Sequence, residues 1–437
     1  MSESDSKPQS RTIAVDYLAR VEGEGALHLV AEGGRVTRAE LRIFEPPRFF
    51  EGFLRGRDFR EAPDITARIC GICPVAYQTS ACQAMEQIVG VEVDGALRLL
   101  RRLLYCGEWI ESHGLHIFML HLPDFLGYPD AITLGRDRPE LVKMGLRIKK
   151  AGNSLMTALA GREIHPINVR VGGFYRAPHR HELTALREEF EYCLTAMEGI
   201  IDELASLRFP DFERDYRFMA LTHPDEYPID RGELARSDGA RAGVEAYDEW
   251  LIEHHEERST SLHSYCAADG TAVCLGPLAR YALNHERLTP RAAAAATRAG
   301  LDAVCRNPFK SILVRSVELI FAFEEALRLL AAYERPTAAC VPFTARAGTG
   351  YGASEAPRGI CYHRYSIDGH GVITDSKIVA PTSVNQRVIE EDLRAFAEPN
   401  LHLPDEPLRD YLEQAIRNYD PCISCSTHFL DLTVERR

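Results

Sequence analysis

Asp420-Pro421-Cys422-Ile423-Ser424-Cys425-Ser426-Thr427-His428 stands close to the end of this 437-residue chain and carries a Cys-x-x-Cys pair with a histidine three residues on. A second pair, in Arg68-Ile69-Cys70-Gly71-Ile72-Cys73-Pro74, lies near the other end. Two thiolates at this spacing point the same way, so each pair can clamp one soft metal centre. A chain that closes its two ends around four sulfurs is built around a metal. Spacing alone leaves a structural four-cysteine zinc site open beside a catalytic centre. A redox Cys-x-x-Cys would need a thioredoxin-like βαβ unit, and nothing around Cys70 reads as one.

The bulk numbers narrow the field. The chain has 45% hydrophobic and 26% charged residues, ordinary for a globular protein, and a net charge of −13. That charge argues against nucleic acid or an anionic membrane as the main partner. No apolar run approaches a membrane span, and the polar stretch from Met1 to Arg11 lacks the apolar core of a signal peptide. With 12 cysteines in all, this places the expected location in a reducing compartment, the cytoplasm. Outside the two pairs, Cys82, Cys106, Cys193, Cys266, Cys274, Cys305, Cys340 and Cys361 are scattered and read as small buried hydrophobes. They give no ferredoxin-like spacing, and no Gly-x-Gly-x-x-Gly stretch is present. Iron–sulfur clusters, flavin and any nicotinamide site are therefore expected on other chains.

Between the two pairs the pattern is mostly helical. Residues 12–45 read as antiparallel strands, Ala26 to Ala31 and Val36 to Ile43, turned at Gly33-Gly34 and ended by Pro46-Pro47. From Pro74 the period becomes helical through Ala81, Met85, Ile88 and Val89, with Gly90 as the stop. A longer helix is expected from Asp94 through Leu97, Leu100 and Leu104 towards Met119. Another begins near Asp137 and Pro139, and a fourth carries the stripe Leu183, Leu186, Phe190, Leu194, Met197, Ile201 and Leu204. Residues 210–288 read as a mixed layer with a hairpin at Asp269-Gly270. Helix returns over the Ala-rich run 290–304 and from Pro308 to Tyr333. Strand and loop are expected over 336–385 with a turn at Asp368-Gly369, then short helices near 387–397 and 405–417. The expected fold is mainly α (α+β), a large helical bundle with small antiparallel sheets at its periphery. It reads as one interwoven domain over 1–437: an N-terminal sheet (12–45), a helical core (64–208), the mixed insert (210–288), a C-terminal part (290–428) and a tail (429–437).

The flanks of the two cysteine pairs, Arg68-x-Cys-Gly-x-Cys and Asp-Pro-Cys-x-x-Cys-x-x-His, resemble the large subunit of nickel–iron hydrogenases, in the right order and at opposite ends. That resemblance implies Cys70 and Cys422 as terminal ligands of nickel, and Cys73 and Cys425 as bridges to iron. The iron would carry cyanide and carbon monoxide built by other proteins. Arg20-Val21-Glu22-Gly23 is similar to a motif whose glutamate takes protons from the metal site; on its own Glu22 would read as a solvated strand residue. Glu355-Ala356-Pro357-Arg358-Gly359 matches a segment that places an arginine over the open metal site, where the bland reading of Arg358 is a salt bridge. Ala380-Pro381-Thr382 matches the segment whose hydroxyl residue binds a cyanide. Glu51, His428 and the carbonyl of Ile378 correspond to ligands of a second metal, magnesium. Gly161-Arg162-x-x-His165-Pro166 with Gly172-Gly173 also matches, and is given only a packing role.

Three positions depart from the pattern. Glu24 stands where histidine is common, Tyr77 replaces a histidine after the second cysteine, and Ser112, in Glu111-Ser112-His113, replaces an aspartate. The wording Cys-Gly-Ile-Cys-Pro-Val-Ala-Tyr and Tyr-Asp-Pro-Cys-Ile-Ser-Cys is most similar to the soluble, bidirectional, NAD(P)-linked types. The expected reaction is H₂ ⇌ 2H⁺ + 2e⁻, with Cys422 or Arg358 taking the first proton and Glu22 carrying it outward. Electrons would leave through a small iron–sulfur subunit to flavin-bearing diaphorase subunits. A maturation endopeptidase and nickel-insertion proteins are further implied partners, the former removing residues 429–437 so that the active enzyme ends at His428. Three rivals stand beside this reading: a hydrogen-sensing regulatory relative, a non-metal scaffold like the related subunit of respiratory complex I, and a zinc-stapled structural protein. The retained cysteines oppose the second, and the third leaves Glu22, Glu51, Arg358 and Thr382 without a reason.

Overall fold

The computed structural model describes residues 10–428. The chain begins with a meander of β1 (Ser10–Val15), β2 (Gly25–Glu32) and β3 (Arg35–Ile43), paired in that order and antiparallel throughout. Leu27, Leu29 and Ala31 alternate to one buried face, as a half-covered strand requires. Gly33 and Gly34, at φ 58° and 80°, make the tight turn between β2 and β3 that the sequence implies. A short helix α1 (Phe50–Leu54) follows, and its start is held by Phe49 in a left-handed conformation, φ 53°.

The core is the set of long helices. α2 (Pro74–Val89) starts with proline in its first turn and stops at Gly90, φ 70°. α3 (Gly95–Leu115) continues into a π-helical turn, His116–His121, which carries the helical run past Met119. α4 (Pro139–Ala160) packs along α3. Gly152 makes that approach possible, because a Cβ there would stand 2.6 Å from the backbone N of Glu111. The pair β4 (Val169–Arg170) and β5 (Gly173–Phe174) precedes α5 (Leu186–Ala205), on which the stripe from Phe190 to Leu204 is buried.

The insert is mixed, as expected, but its hairpin lies elsewhere. β6 (Met219–Thr222), β7 (Glu233–Arg236) and β8 (Arg241–Ala242) form one sheet, and β9 (Leu251–His255) pairs with β10 (Leu262–Cys266). The hairpin therefore spans the segment between His255 and Leu262. At Asp269-Gly270 the chain turns back on the end of β10, Cys266 N donating to Thr271 O at 2.9 Å and Gly270 N to Cys266 O at 2.8 Å. Among the described residues the return run does not go on as a second strand of that pair; Cys274 bridges Phe218 in parallel. α6 (Pro277–Asn284) and α7 (Pro290–Arg298) lead to the central α8 (Ser311–Ala332). α7 ends earlier than its alanine run suggests, since Gly300 at φ 65° turns the chain. The antiparallel sheet of β11 (Gly348–Ala356), β12 (Gly359–Ile367) and β13 (Ile373–Val379) has its β12–β13 turn at Asp368-Gly369. α9 (Pro381–Asn400) begins well before the expected residue 387. Pro381 sits in its first turn, so the Ala-Pro-Thr segment is a helix start and not a loop. α10 (Asp405–Arg417) then delivers the chain to the terminal motif. The architecture is mainly α with small antiparallel sheets. Among the described residues no helix is long and apolar enough to cross a membrane.

Candidate metal centre

Each cysteine pair is placed by backbone chemistry at an element boundary. Cys73 is the residue before α2, and the unpaired amides of that helix's first turn, Val75 and Ala76, donate to Glu108 Oε2 of α3 at 2.6 and 3.4 Å. The C-terminal pair is set by a parallel bridge between Glu22 and Cys422, in which Ile423 N donates to the Glu22 carbonyl at 2.9 Å. Asp420, at φ 51°, turns the chain into this bridge. Arg48 staples the two motifs. Its guanidinium donates to the carbonyls of Ile69 (2.8 Å) and Ser424, and its backbone N to that of Thr427 at 2.8 Å.

The result is a buried knot of four sulfurs. The Sγ atoms of Cys70, Cys73, Cys422 and Cys425 all lie within 4.8 Å of one another. Cys70 is 3.3 Å from Cys422, Cys73 is 3.3 Å from Cys425, and Cys422 is 2.8 Å from Cys425. Hydrogen bonds from Cys422, Cys425 and Cys73 push the Cys70 thiol down, while burial pushes Cys422 well up. One thiolate is thus comfortable here and four are not, unless a cation sits among them. Of the remaining cysteines, Cys340 is half-buried and the others are buried, as small hydrophobes would be.

The residues singled out in the sequence surround this knot. Glu22 Oε2 accepts from Cys422 Sγ at 3.0 Å and from Ser424 N at 3.1 Å. Burial, then the charge of Cys70, pushes its carboxyl above the usual range. Thr382 Oγ1 accepts from Cys422 N at 3.0 Å, so its own hydroxyl proton remains to donate. Pro381 stands beside it at the start of α9. Arg358, almost fully buried, donates through Nε to the Asp420 carbonyl at 2.6 Å and through Nη2 to the Asp420 carboxylate at 3.1 Å. Its Nη1 is buried with no protein partner among the described residues. Burial works against its charge, but Asp420 and the sulfurs of Cys422, Cys73 and Cys70 prevail and hold the guanidinium protonated.

A second group lies on the far side of His428. Its Nδ1 is 3.9 Å from Glu51 Oε1 and is buried without a hydrogen-bond partner among the described residues. Glu51 Oε1 also accepts from Ile378 N at 2.8 Å. Burial pushes the Glu51 carboxyl up to about 8 and the His428 imidazole down to about 3. A neutral imidazole facing a desolvated carboxyl is a pair of donor atoms short of a cation.

Other residues turned out to matter that the sequence did not mark. Besides Arg48 and Glu108, Glu45 Oε2 accepts from Ser424 Oγ at 2.9 Å. The departures have distinct surroundings. Tyr77 donates to the Cys425 carbonyl at 3.4 Å, and its ring lies 5.6 Å from that of His363, a buried histidine the sequence gave no reason to notice. Ser112 is buried without a partner among the described residues, and its neighbour Glu111 is 2.6 Å from Lys149. His165 keeps the packing role, its Nδ1 lying 2.7 Å from the Ala67 carbonyl, just before Cys70. Nothing distinguishes Arg48, Glu45 or Glu108 locally in sequence; only the fold joins them to their partners.

Comparison with known proteins agrees with the geometry. Residues 48–139 match the family described as nickel-dependent hydrogenase. The sulfhydrogenase 2 alpha subunit of Pyrococcus furiosus is 34% identical, over 96% of this chain and all of that one. The beta subunit of the NAD-reducing hydrogenase HoxS of Cupriavidus necator is 30% identical over 96% of this chain and 95% of its own length. Among solved structures, an NAD⁺-reducing nickel–iron hydrogenase in the H₂-reduced state superposes with a TM-score of 0.88 at 28% identity, covering 96% of this chain and 99% of that one. With four sulfurs brought from both ends into one buried cluster, and relatives alike along nearly the whole length, the chain belongs to the nickel-dependent hydrogenase family as a large subunit.

Proposed function

We propose that this chain is the catalytic subunit of a cytoplasmic, NAD(P)-linked nickel–iron hydrogenase that interconverts H₂ with protons and electrons. One observation carries the reading: a half-buried carboxyl, that of Glu22, lies 3.0 Å from the sulfur of Cys422 within a cluster of four cysteine sulfurs. The four sulfurs would hold a nickel–iron centre, Cys70 and Cys422 serving nickel and Cys73 and Cys425 serving both metals, as the resemblance implies. When bound, that centre supplies a Lewis acid and an acceptor for the electron pair of H₂. The Cys422 sulfur takes the proton, and Glu22, whose raised affinity for protons suits the task, receives it. Arginine is a poor base and Arg358 is paired with Asp420, so its role here is electrostatic, with the Nη1 that has no partner among the described residues presented to the site. The unspent hydroxyl proton of Thr382 suits an anionic ligand such as an iron-bound cyanide, and Pro381, beside it at the start of α9, is proposed to flank that ligand. Glu51, His428 and the Ile378 carbonyl are proposed to hold magnesium, which answers the desolvated carboxyl and the His428 Nδ1 that has no partner among the described residues.

The relatives supply the wider setting. Two of those compared reduce NAD, which supports partner chains carrying iron–sulfur clusters and a flavin diaphorase. Nickel-insertion proteins and an endopeptidase would prepare the chain. Elemental analysis of this subunit, separated from its partners, tests the core of this. Nickel and iron are expected in equal amounts in this subunit, with infrared stretches from iron-bound cyanide and carbon monoxide; Cys422→Ser should lose nickel and activity together. Stoichiometric zinc without nickel would overturn it.

A further inference from the structure

The segment that carries Arg358 is held by its carbonyls, one after another, from three directions. Glu355 O accepts from Trp109 Nε1 at 2.9 Å. Ala356 O and Pro357 O accept from Arg280 Nη1 and Nη2, at 2.8 and 2.9 Å. Arg358 O lies 3.4 Å from Asn385 Nδ2. The same carbonyl leaves no room for a side chain at Gly276, the residue before α6, where a Cβ would stand 2.8 Å away.

Arg280 is the centre of this arrangement. It is fully buried on α6 and uses every N–H it has. Nε donates to Glu318 Oε1 (2.8 Å) and Nη2 to Glu318 Oε2 (2.7 Å), while Nη1 also reaches Glu355 Oε2 at 3.1 Å. Its guanidinium carbon lies 4.5 Å from the centre of the Trp109 ring. The two carboxylates are themselves fixed, Glu318 by the Tyr227 hydroxyl at 2.8 Å and Glu355 by Leu221 N at 2.7 Å. Three of these five bonds go to carboxylates and belong to charge pairing; the two to backbone carbonyls are what a charge-pairing role leaves unexplained.

We infer that Arg280 is a positioning residue for hydrogen turnover: by gripping the carbonyls of Ala356 and Pro357 it fixes where Arg358 presents its unclaimed Nη1 to the metal centre. This rests on the hydrogenase reading above. Positioning matters because an electrostatic contact in a dry site loses much of its effect when misplaced by about 1 Å. A lysine in place of Arg280 keeps the charge beside Glu318 but offers three donors from one point, and so cannot span both carbonyls.

Arg280→Lys is the test, made in the intact complex and read per nickel bound. Activity per nickel should fall about 10- to 100-fold, with nickel content near that of the parent, and the infrared bands of the iron-bound diatomics should shift or broaden. If that variant does not load metal, Trp109→Phe decides. It keeps a ring beneath the guanidinium, removes the donor to Glu355 O together with part of the ring's packing, and should move activity and bands the same way by less. Parental activity per nickel together with parental bands, in whichever variant loads, would show that Arg280 merely supports the core and would overturn the inference. Absence of such bands in the parent would instead strike the proposed ligands of iron, leaving activity per nickel to judge the clamp.

Discussion

Glu22 shows what a single residue gains from its place in the fold. In sequence it stands in a strand-and-turn region and alone reads as a solvated carboxylate; in the structure it touches the Cys422 sulfur and the Ser424 amide at once. Glu22→Gln keeps the shape and removes the titrating group. Hydrogen production and hydrogen-driven dye reduction should both fall by about 100-fold or more, while nickel and iron remain. Full activity in that variant would mean that protons leave by another route. At this scale the sequence was legible where a residue type is chemically rare at its spacing. The four cysteines announce themselves, and Glu22, Glu51, Arg358, Thr382 and His428 followed from their motifs. Arg48, Glu45, Glu108 and Arg280 did not. Each is a common charged residue whose meaning lies in partners distant along the chain, such as the Ile69 and Ser424 carbonyls that Arg48 joins.

Elements were legible where period and end signals agreed. Pro74 and Gly90 bracket α2, and the apolar stripes give α3, α4, α5 and α8. The start of α9 was missed because its first turn, Pro-Thr-Ser-Val, has weak helical propensity, and Pro381 reads equally as a loop residue. What period cannot reveal is how closely elements approach. β11 lies directly on α2, and a Cβ at Gly352 would stand 2.0 Å from the Ser80 carbonyl, one at Gly350 2.1 Å from that of Ala84. Gly352→Ala must push the strand off the helix whose start holds Cys73. We expect a cost of about 3 kcal/mol, read as a lower urea midpoint, and reduced nickel loading. An unchanged midpoint would mean that α2 does not brace the metal site. On α9, Asp392 accepts from the hydroxyls of Tyr419 (2.6 Å) and Tyr216 (2.8 Å), tying the helix to the terminal motif. Burial raises its carboxyl from 3.8 to about 6. The folded protein therefore keeps a proton through that window which the unfolded chain has released. The stability this provides is full below the unfolded value and is lost as pH rises through about 6. Urea titrations of the parent should show this decline across the window, and Asp392→Asn should flatten it. Equal slopes for the two proteins would assign the decline to other groups.

At the scale of the whole molecule, the metal centre is where the two ends of the chain meet. Metal ions bind the four thiolates together only when both ends are home, so binding is coupled to closure. The closed terminal segment leaves little way in. Cys422 is fully buried, Thr427 O is bonded to Arg48 N at 2.8 Å, and His428 is only 4% exposed. Metals must therefore enter while the segment from Asp420 to His428 is still apart from Glu22, Arg48 and Thr382. Residues 429–437, for which the sequence suggests removal, lie outside the described residues. Their proposed role is a latch: present, the tail delays closure; cut after His428, it lets the segment dock and seat His428 beside Glu51. Two measurements check this. The intact mass of this chain in enzyme that turns over hydrogen should end at His428, and a mass that includes Arg437 in the active fraction would contradict the latch. A chain made to end at His428 from the outset should close before nickel arrives, so it should hold markedly less nickel than the matured protein. Equal nickel in both would show that closure does not wait on the tail.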